Sequence, residues 1–458
     1  MLMEEGKMLK RKALDDLGLW KSRSDRNPLI VEGARQVGKT YAVRAFAEAA
    51  YESVYELNFL ERDTLKSIFD GDLSADAILT GIRLNYPEKR FSGGRTLLFL
   101  DEIQACPRAI TALKFLSGDE RFDVICSGSA LGMLHGQVDS WPVGQVDYLH
   151  MTALDFEEFL WAAGLEEDIV ETVRAFADGA KQIPEAIHKP MMQYFRQYLA
   201  IGGMPDVVKT FFPDRDYAAA DAVQRRIYRD YVADIAHYAE AEIRLKAQKC
   251  WQSIPLQLSK QNHKFQYATV EHRGNAHKFG SSVDWLLASE MAMKVNNVSQ
   301  IEYPLSAFET EDHFRIYPTD IGLLICTYDF SLKRALLGQE DGLNQTESIV
   351  LKTAKGGIYE ALAADILWKR GIGDLRFYRN TPGTVEIEFL IEGPDGVTPI
   401  EIKAGNNKTR SLDTVLQNPD IAAGYKFADQ NAGISGKKIT LPLYMLMFFP
   451  IGQRKGLN

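Results

Sequence analysis

Cysteine is scarce: four among 458 residues, Cys106, Cys126, Cys250 and Cys326, far apart and in apolar or helical surroundings. No metal-ligand spacing or disulfide framework can be drawn from them, so a reduced, cytoplasmic setting is expected. Long apolar runs are missing too. The longest, Leu441 to Ile451, contains Pro442 and Pro450 and falls well short of the ~20 residues needed to span a bilayer. It reads as a buried strand, and no membrane partner is expected. The stretch Met1 to Gly6 has early acids and no apolar signal-peptide core. Positive charge is not in excess, since 53 Lys and Arg face 62 Asp and Glu, a formal net charge of −9. That argues against a broadly nucleic-acid-coating protein. A local basic bias remains: Glu401 to Asn458 holds eight Lys/Arg against four Asp/Glu, a balance of +4.

What is present is the composition of a folded globular chain, 46% hydrophobic and 25% charged, long enough for two to four domains. Its most informative feature is a pair of segments. The first, Gly33, Ala34, Arg35, Gln36, Val37, Gly38, Lys39 and Thr40, fits the phosphate-cradling pattern G-x-x-x-x-G-K-[ST]. It follows the apolar run Leu29 to Val31 and precedes a helix-like stretch, Tyr41 to Ala50. The second, Leu97 to Glu102, is an apolar strand ending in Asp101 and Glu102. Together they predict a buried parallel sheet with a nucleoside triphosphate and Mg²⁺ at the carboxyl ends of its strands.

The residue types follow from the chemistry. Glycines at 33 and 38 let successive backbone N–H groups and the next helix N-terminus face the phosphates. Lys39 supplies a point charge to the β- and γ-phosphates, and Thr40 a hydroxyl for the metal. Asp101 would hold Mg²⁺ through its water shell, and Glu102 is placed to polarise an attacking water. The plainer alternative is a Gly-rich turn beside a core strand with surface acids.

Strands and helices alternate from Asn27 onward, as in a doubly wound sheet. Strand-like runs are Leu29–Val31, Val54–Phe59, Thr96–Leu100 and Phe122–Ser127, with helices at 40–50, 75–84 and 109–117. Ser127 ends one strand in small polar residues, which suits a γ-phosphate sensor or an ordinary exit turn. Asp155 with Glu158 three residues on is a capping-box pattern. The segment 156–250 is expected as a helical lid or linker, broken by a sharp turn at Ile201 to Pro205. Residues 251–335 suit a small winged-helix-like region, where His263, His272 and His277 match no metal spacing and read as surface loop residues.

A second α/β pattern fills 340–458. Strand alternation puts Glu386 and Glu388 on one face, and Glu401 and Lys403 on one face of the next strand. A hairpin there could converge Glu388, Glu401 and Lys403 beside Glu360 on a helix. Carboxylates so placed hold Mg²⁺, and a lysine can orient water for phosphodiester cleavage. A half-buried sheet with a charged face explains the same residues.

The stretches Gly33 to Thr40, Leu100 to Gln104, Ser127 to Ser129 and Phe156 to Phe159 resemble prokaryotic AAA-type ATPases of uncharacterised role. Ile201 to Pro205, Tyr317 to Leu323 and Ile400 to Gly405 resemble the second half of that family. The resemblance implies a P-loop ATPase domain over 1–155, then the helical and winged-helix-like regions, then a PD-(D/E)xK-like α/β domain. It implies ATP binding by Gly33–Thr40, Mg²⁺ contact by Thr40 and Asp101, and water activation by Glu102. It also puts Glu360, Glu388, Glu401 and Lys403 at nuclease motif positions, with Glu388 and Glu401 as metal ligands. Two positions depart from the family: Glu388 replaces the usual Asp, and Gly144-Gln145 replaces a Gly-Arg that would serve a neighbouring subunit in an oligomer. The expected function is an Mg²⁺-dependent ATPase switching a C-terminal domain that binds nucleic acid or protein. An ATP-gated nuclease acting on DNA or RNA, and a non-enzymatic binding module, are the alternatives.

Overall fold

The computed structural model describes residues 9–129, 131, 138–260, 262–338, 345–381, 383–394, 396–405 and 410–449. They fall into two compact units, one reaching Ala153 and including Ala288–Glu290, the other formed by Leu154–Leu287 and the chain from Met291. Met1 to Gly6, Asp395, Pro450 and Ile451, on which sequence expectations fell, lie outside the described residues.

The first unit is built on five parallel strands: β1 (Leu29–Glu32), β2 (Ser53–Asn58), β3 (Thr96–Asp101), β4 (Asp123–Ser127) and β5 (Asp147–His150), in the order β2-β3-β4-β1-β5. All six residues of β3 are buried, as expected of a strand covered on both faces. Leu98 and Leu100 join Tyr55, Leu57 and the helix residues Ile78, Ile82, Ile110 and Leu113 in one core. From β1 to β4 successive strands are joined by the helices Lys39–Ala50, Ala75–Asn85 and Pro107–Leu116. Register matters for function. Asn58 lies opposite Asp101, Leu100 opposite Cys126 and Val31 opposite Ser127, so the carboxyl ends of four strands form one row.

The second unit opens with helices. Asp155 caps Phe156–Ala162 through the expected box: its carboxylate accepts from the Glu158 N–H at 2.9 Å and its own N–H donates to Glu158 at 3.1 Å. Helix Glu185–Ile201 ends at Gly202, whose φ of 72° makes the turn, and Pro205 starts the next helix. Farther on, eight strands form a mixed sheet: β6 (Ala292–Val298), β7 (Glu309–Pro318), β8 (Arg376–Arg379), β9 (Glu386–Gly393), β10 (Gly396–Lys403), β11 (Gly424–Ala428), β12 (Gly433–Ser435) and β13 (Lys438–Pro442). Their order is β12-β13-β11-β10-β9-β8-β6-β7. The hairpin of β6 and β7 therefore shares a sheet with the C-terminal strands, through parallel pairing of β6 with β8.

The run from Leu441 departs from its sequence reading. Strand β13 stops at Pro442, and Leu443–Phe448 forms a 3-10 helix with every residue buried. Its apolar character reflects burial on all sides, which a short helix and a core strand share.

Candidate active site

In the first unit the chain after β1 turns through positive φ at Gly33 (144°), Gln36 (62°) and Gly38 (95°) before helix Lys39–Ala50 begins. Gly33 has a second constraint. A Cβ there would come within 2.0 Å of the Met151 carbonyl oxygen, so only glycine fits beside the strand-β5 exit. Ala34 and Val37 are buried, Arg35 half-buried and Gln36 exposed. Arg11, itself buried, pins the loop from behind, donating to the carbonyls of Val37 at 2.9 Å and Thr152 at 2.6 Å.

Lys39 is buried and folded back onto its own loop, donating to the Gly33 and Ala34 carbonyls, both at 2.8 Å. Burial lowers its pKa to about 8, against the opposing attraction of Glu102. Thr40 Oγ1 donates to Asp101 Oδ1 at 2.9 Å, and the Ser127 hydroxyl donates to the same oxygen. Asn58 Nδ2 donates to Asp101 Oδ2 at 2.9 Å. Three donors from three elements thus fix one carboxylate. Glu102 adopts a left-handed backbone (φ 55°), which swings the chain away from the strand, and its carboxylate accepts from the Gln104 amide.

The structure thus brings Lys39, Thr40, Asp101 and Ser127 together and keeps Glu102 next to them in sequence. Arg11, Asn58 and Gln104 are additions. Gln104 closes the stretch Leu100 to Gln104 singled out in the sequence, whereas Asn58 carries no motif of its own; the signal for Asn58 was strand register, which places it beside Asp101.

The C-terminal residues also meet, in a different manner. Lys403 Nζ sits 2.7 Å from Glu388 Oε1 and 3.3 Å from Glu401 Oε1. Burial raises the Glu388 pKa to about 7, partly offset by Lys403 and reinforced by the Glu401 and Glu360 charges. The lysine is raised in turn: burial opposes its charge, but Glu388 and Glu401 outweigh it. Glu360 is engaged elsewhere. It accepts from Arg315, the Tyr317 hydroxyl and His263 Nδ1, the last at 2.7 Å. Burial works against its charge, yet Arg315 and His263 hold its pKa down to about 2. His263 is therefore no surface loop residue; its ring is pulled inward by a buried carboxylate, whereas His272 and His277 are exposed.

Residues 25–160 match a family described as an AAA domain. Residues 192–334 and 355–446 match two domains of unknown function, DUF8612 and DUF4143. The first unit is accordingly an AAA-type, P-loop ATPase-like domain. Among solved structures, the chain is similar to a Walker-type ATPase of Pyrococcus abyssi, at 11% identity and a TM-score of 0.42 over 70% of this chain and 95% of that one. It is also similar to Cdc6p from Pyrobaculum aerophilum (13%, TM-score 0.26, 73% and 96%) and to Drosophila ORC bound to DNA (14%, TM-score 0.25, 73% and 95%). These overlaps are partial, and the assignment rests on the family match and the site itself. No curated protein matches. Among the described residues no helix is long and apolar enough to cross a membrane.

Proposed function

We propose that the protein is an Mg²⁺-dependent ATPase whose nucleotide state sets the conformation of its second unit. One observation supports this reading above all: a glycine-shaped loop and a buried ammonium converge with an Asp101 carboxylate fixed by Thr40, Ser127 and Asn58. Those residues suit Mg-ATP. Gly33 to Thr40 would hold the phosphates, and Thr40 with Asp101 the metal, which would supply positive charge to the transferred phosphoryl group. Lys39 exchanges two carbonyls for phosphate oxygens, a gain because a charged acceptor binds an ammonium more strongly than a neutral one. Glu102 accepts the proton of the attacking water, and the Gln104 amide holds it in place until then. Ser127 reports on the phosphate by changing the partner of its hydroxyl.

Coupling runs through the chain that leaves the loop. Met151, whose carbonyl packs on Gly33, donates its N–H to Glu32 at 2.8 Å in the first unit. Three residues on, within the second unit, the Leu154 N–H donates to Gly203 at 2.8 Å and its carbonyl accepts from Tyr198 at 3.0 Å. In this reading a shift of the phosphate loop would reach the second unit along this short covalent segment. In this proposal residues 251–335 serve as a winged-helix-like element and 340–458 as a PD-(D/E)xK-like platform for a nucleic acid or protein partner.

The test is nucleotide binding and turnover by Glu102→Gln. The variant should bind ATP normally and hydrolyse it about 10²- to 10⁴-fold more slowly, the range a positioned general base supplies. Undiminished turnover would overturn the assigned role.

A further inference from the structure

The carboxylates that a nuclease-like site would offer to metal are already matched with cations of the chain itself. Arg315, on β7, is fully buried, with its two terminal nitrogens donating to Glu360 and to Glu386. Its guanidinium lies 4.0 Å over the Phe377 ring, a cation–π contact that fixes its plane. Tyr317, two residues along the same strand, adds its hydroxyl to Glu360, and His263 takes the other Glu360 oxygen. Arg379 lies 3.6 Å from Glu386. Lys403 bridges the remaining pair, Glu388 and Glu401. Four carboxylates thus face Arg315, Arg379, Lys403 and His263.

A divalent ion has poor prospects in such a place. Mg²⁺ asks for near-octahedral oxygen ligands at short range. Here the Glu360 oxygens point to nitrogen and hydroxyl donors, and an arginine cannot shed its proton to release them. Among the described residues no group of three or more His, Cys, Asp or Glu is arranged to hold a metal.

We infer that Arg315 and Lys403 are the resident cations of this cluster, Arg315 on Glu360 and Glu386 and Lys403 on Glu388 and Glu401, so that the carboxylate site of the second sheet is closed by the chain's own side chains and takes up neither Mg²⁺ nor Mn²⁺. The cluster then acts as a pin between β7, the helix carrying Glu360 and β9. It also means that any nucleic acid or protein docked on this unit is held without metal-dependent cleavage at Glu388 and Glu401. The inference stands apart from nucleotide binding in the first unit.

The experiment is Mn²⁺ binding to the full chain without nucleotide, followed by the EPR signal of free Mn²⁺ and by Tm in EDTA or millimolar Mn²⁺. The wild type should show the same Tm in both and no uptake that Glu388→Gln removes. Arg315→Met should lose roughly 5–10 °C in EDTA, because the buried Glu360 and the half-buried Glu386 each lose their guanidinium partner, and recover a good part of that in Mn²⁺. Arg315→Lys keeps a cation without the fork, so it should lose less and gain nothing from Mn²⁺; it keeps the test readable should the methionine variant fail to fold. One equivalent of Mn²⁺ bound by the wild type and lost in Glu388→Gln overturns the inference. A folded Arg315→Met with unchanged Tm in EDTA overturns it equally.

Discussion

The two sheets each gather a lysine among acidic side chains, and they treat it in opposite ways. In the first, Lys39 meets two backbone carbonyls, and burial outweighs the acids around it, lowering its pKa to about 8. In the second, Lys403 is paired directly with Glu388 and Glu401, and its pKa rises above the ordinary lysine value. Lys369 goes further still. Fully buried, it donates to Asp320 at 2.8 Å and to Tyr198 at 3.0 Å, and lies 2.8 Å from Asp365. The difference separates a site from a scaffold. A buried cation held by neutral oxygens gains when an anion arrives, whereas one matched by carboxylates already has its compensation.

The comparison breaks first at the lysines themselves. Lys39→Ala should weaken ATP binding by about 100-fold or more, the loss of two charge-assisted hydrogen bonds at roughly 1.5–3 kcal/mol each. Lys403→Ala should leave ATP affinity unchanged, and equal losses in a calorimetric titration of both variants would dissolve the distinction. Lys369→Met should act on stability instead. Removing that cation strands Asp320 and Asp365 in the interior, a cost of about 3–5 kcal/mol in denaturant unfolding. A loss below about 1 kcal/mol would show that the network is not compensated in the way its distances suggest.

Much of the first site was legible because its determinants are local. The apolar run of β3 ending in Asp101, the glycines at 33 and 38, and the Asp155–Glu158 box are each set within a few residues. Non-local determinants were not legible. Asn58 reaches Asp101 only through the register of β2 on β3, and Arg315 meets Glu360 across 45 residues of sequence. The same holds for the sheet of the second unit, where β6 pairs with β8 after a long excursion that no periodicity announces. Convergence of Glu388, Glu401 and Lys403 could be read from strand alternation. What occupies Glu360 could not, because alternation gives a face and leaves the partner across it unnamed.

The finest probe of the difference between the two sheets is pH. Nucleotide-free Lys39 loses its proton near pH 8, whereas a polyphosphate bound beside it would keep that proton in place to higher pH. Between roughly pH 8 and 10 binding must then take up a proton, so ATP affinity falls as pH rises, by at most about tenfold per pH unit. Below about pH 7 the ammonium is charged in both states and contributes no slope. Lys403 is held charged by its carboxylates beyond this window, so Lys403→Gln should reproduce the wild-type profile. Lys39→Arg, charged throughout, should flatten it at whatever affinity remains. Titrations from pH 7.5 to about 9.5 in buffers of different ionisation enthalpy would count the proton directly. A wild-type profile as flat as that of Lys39→Arg would mean that Lys39 is fully charged before nucleotide arrives, and that the first sheet compensates its lysine as completely as the second.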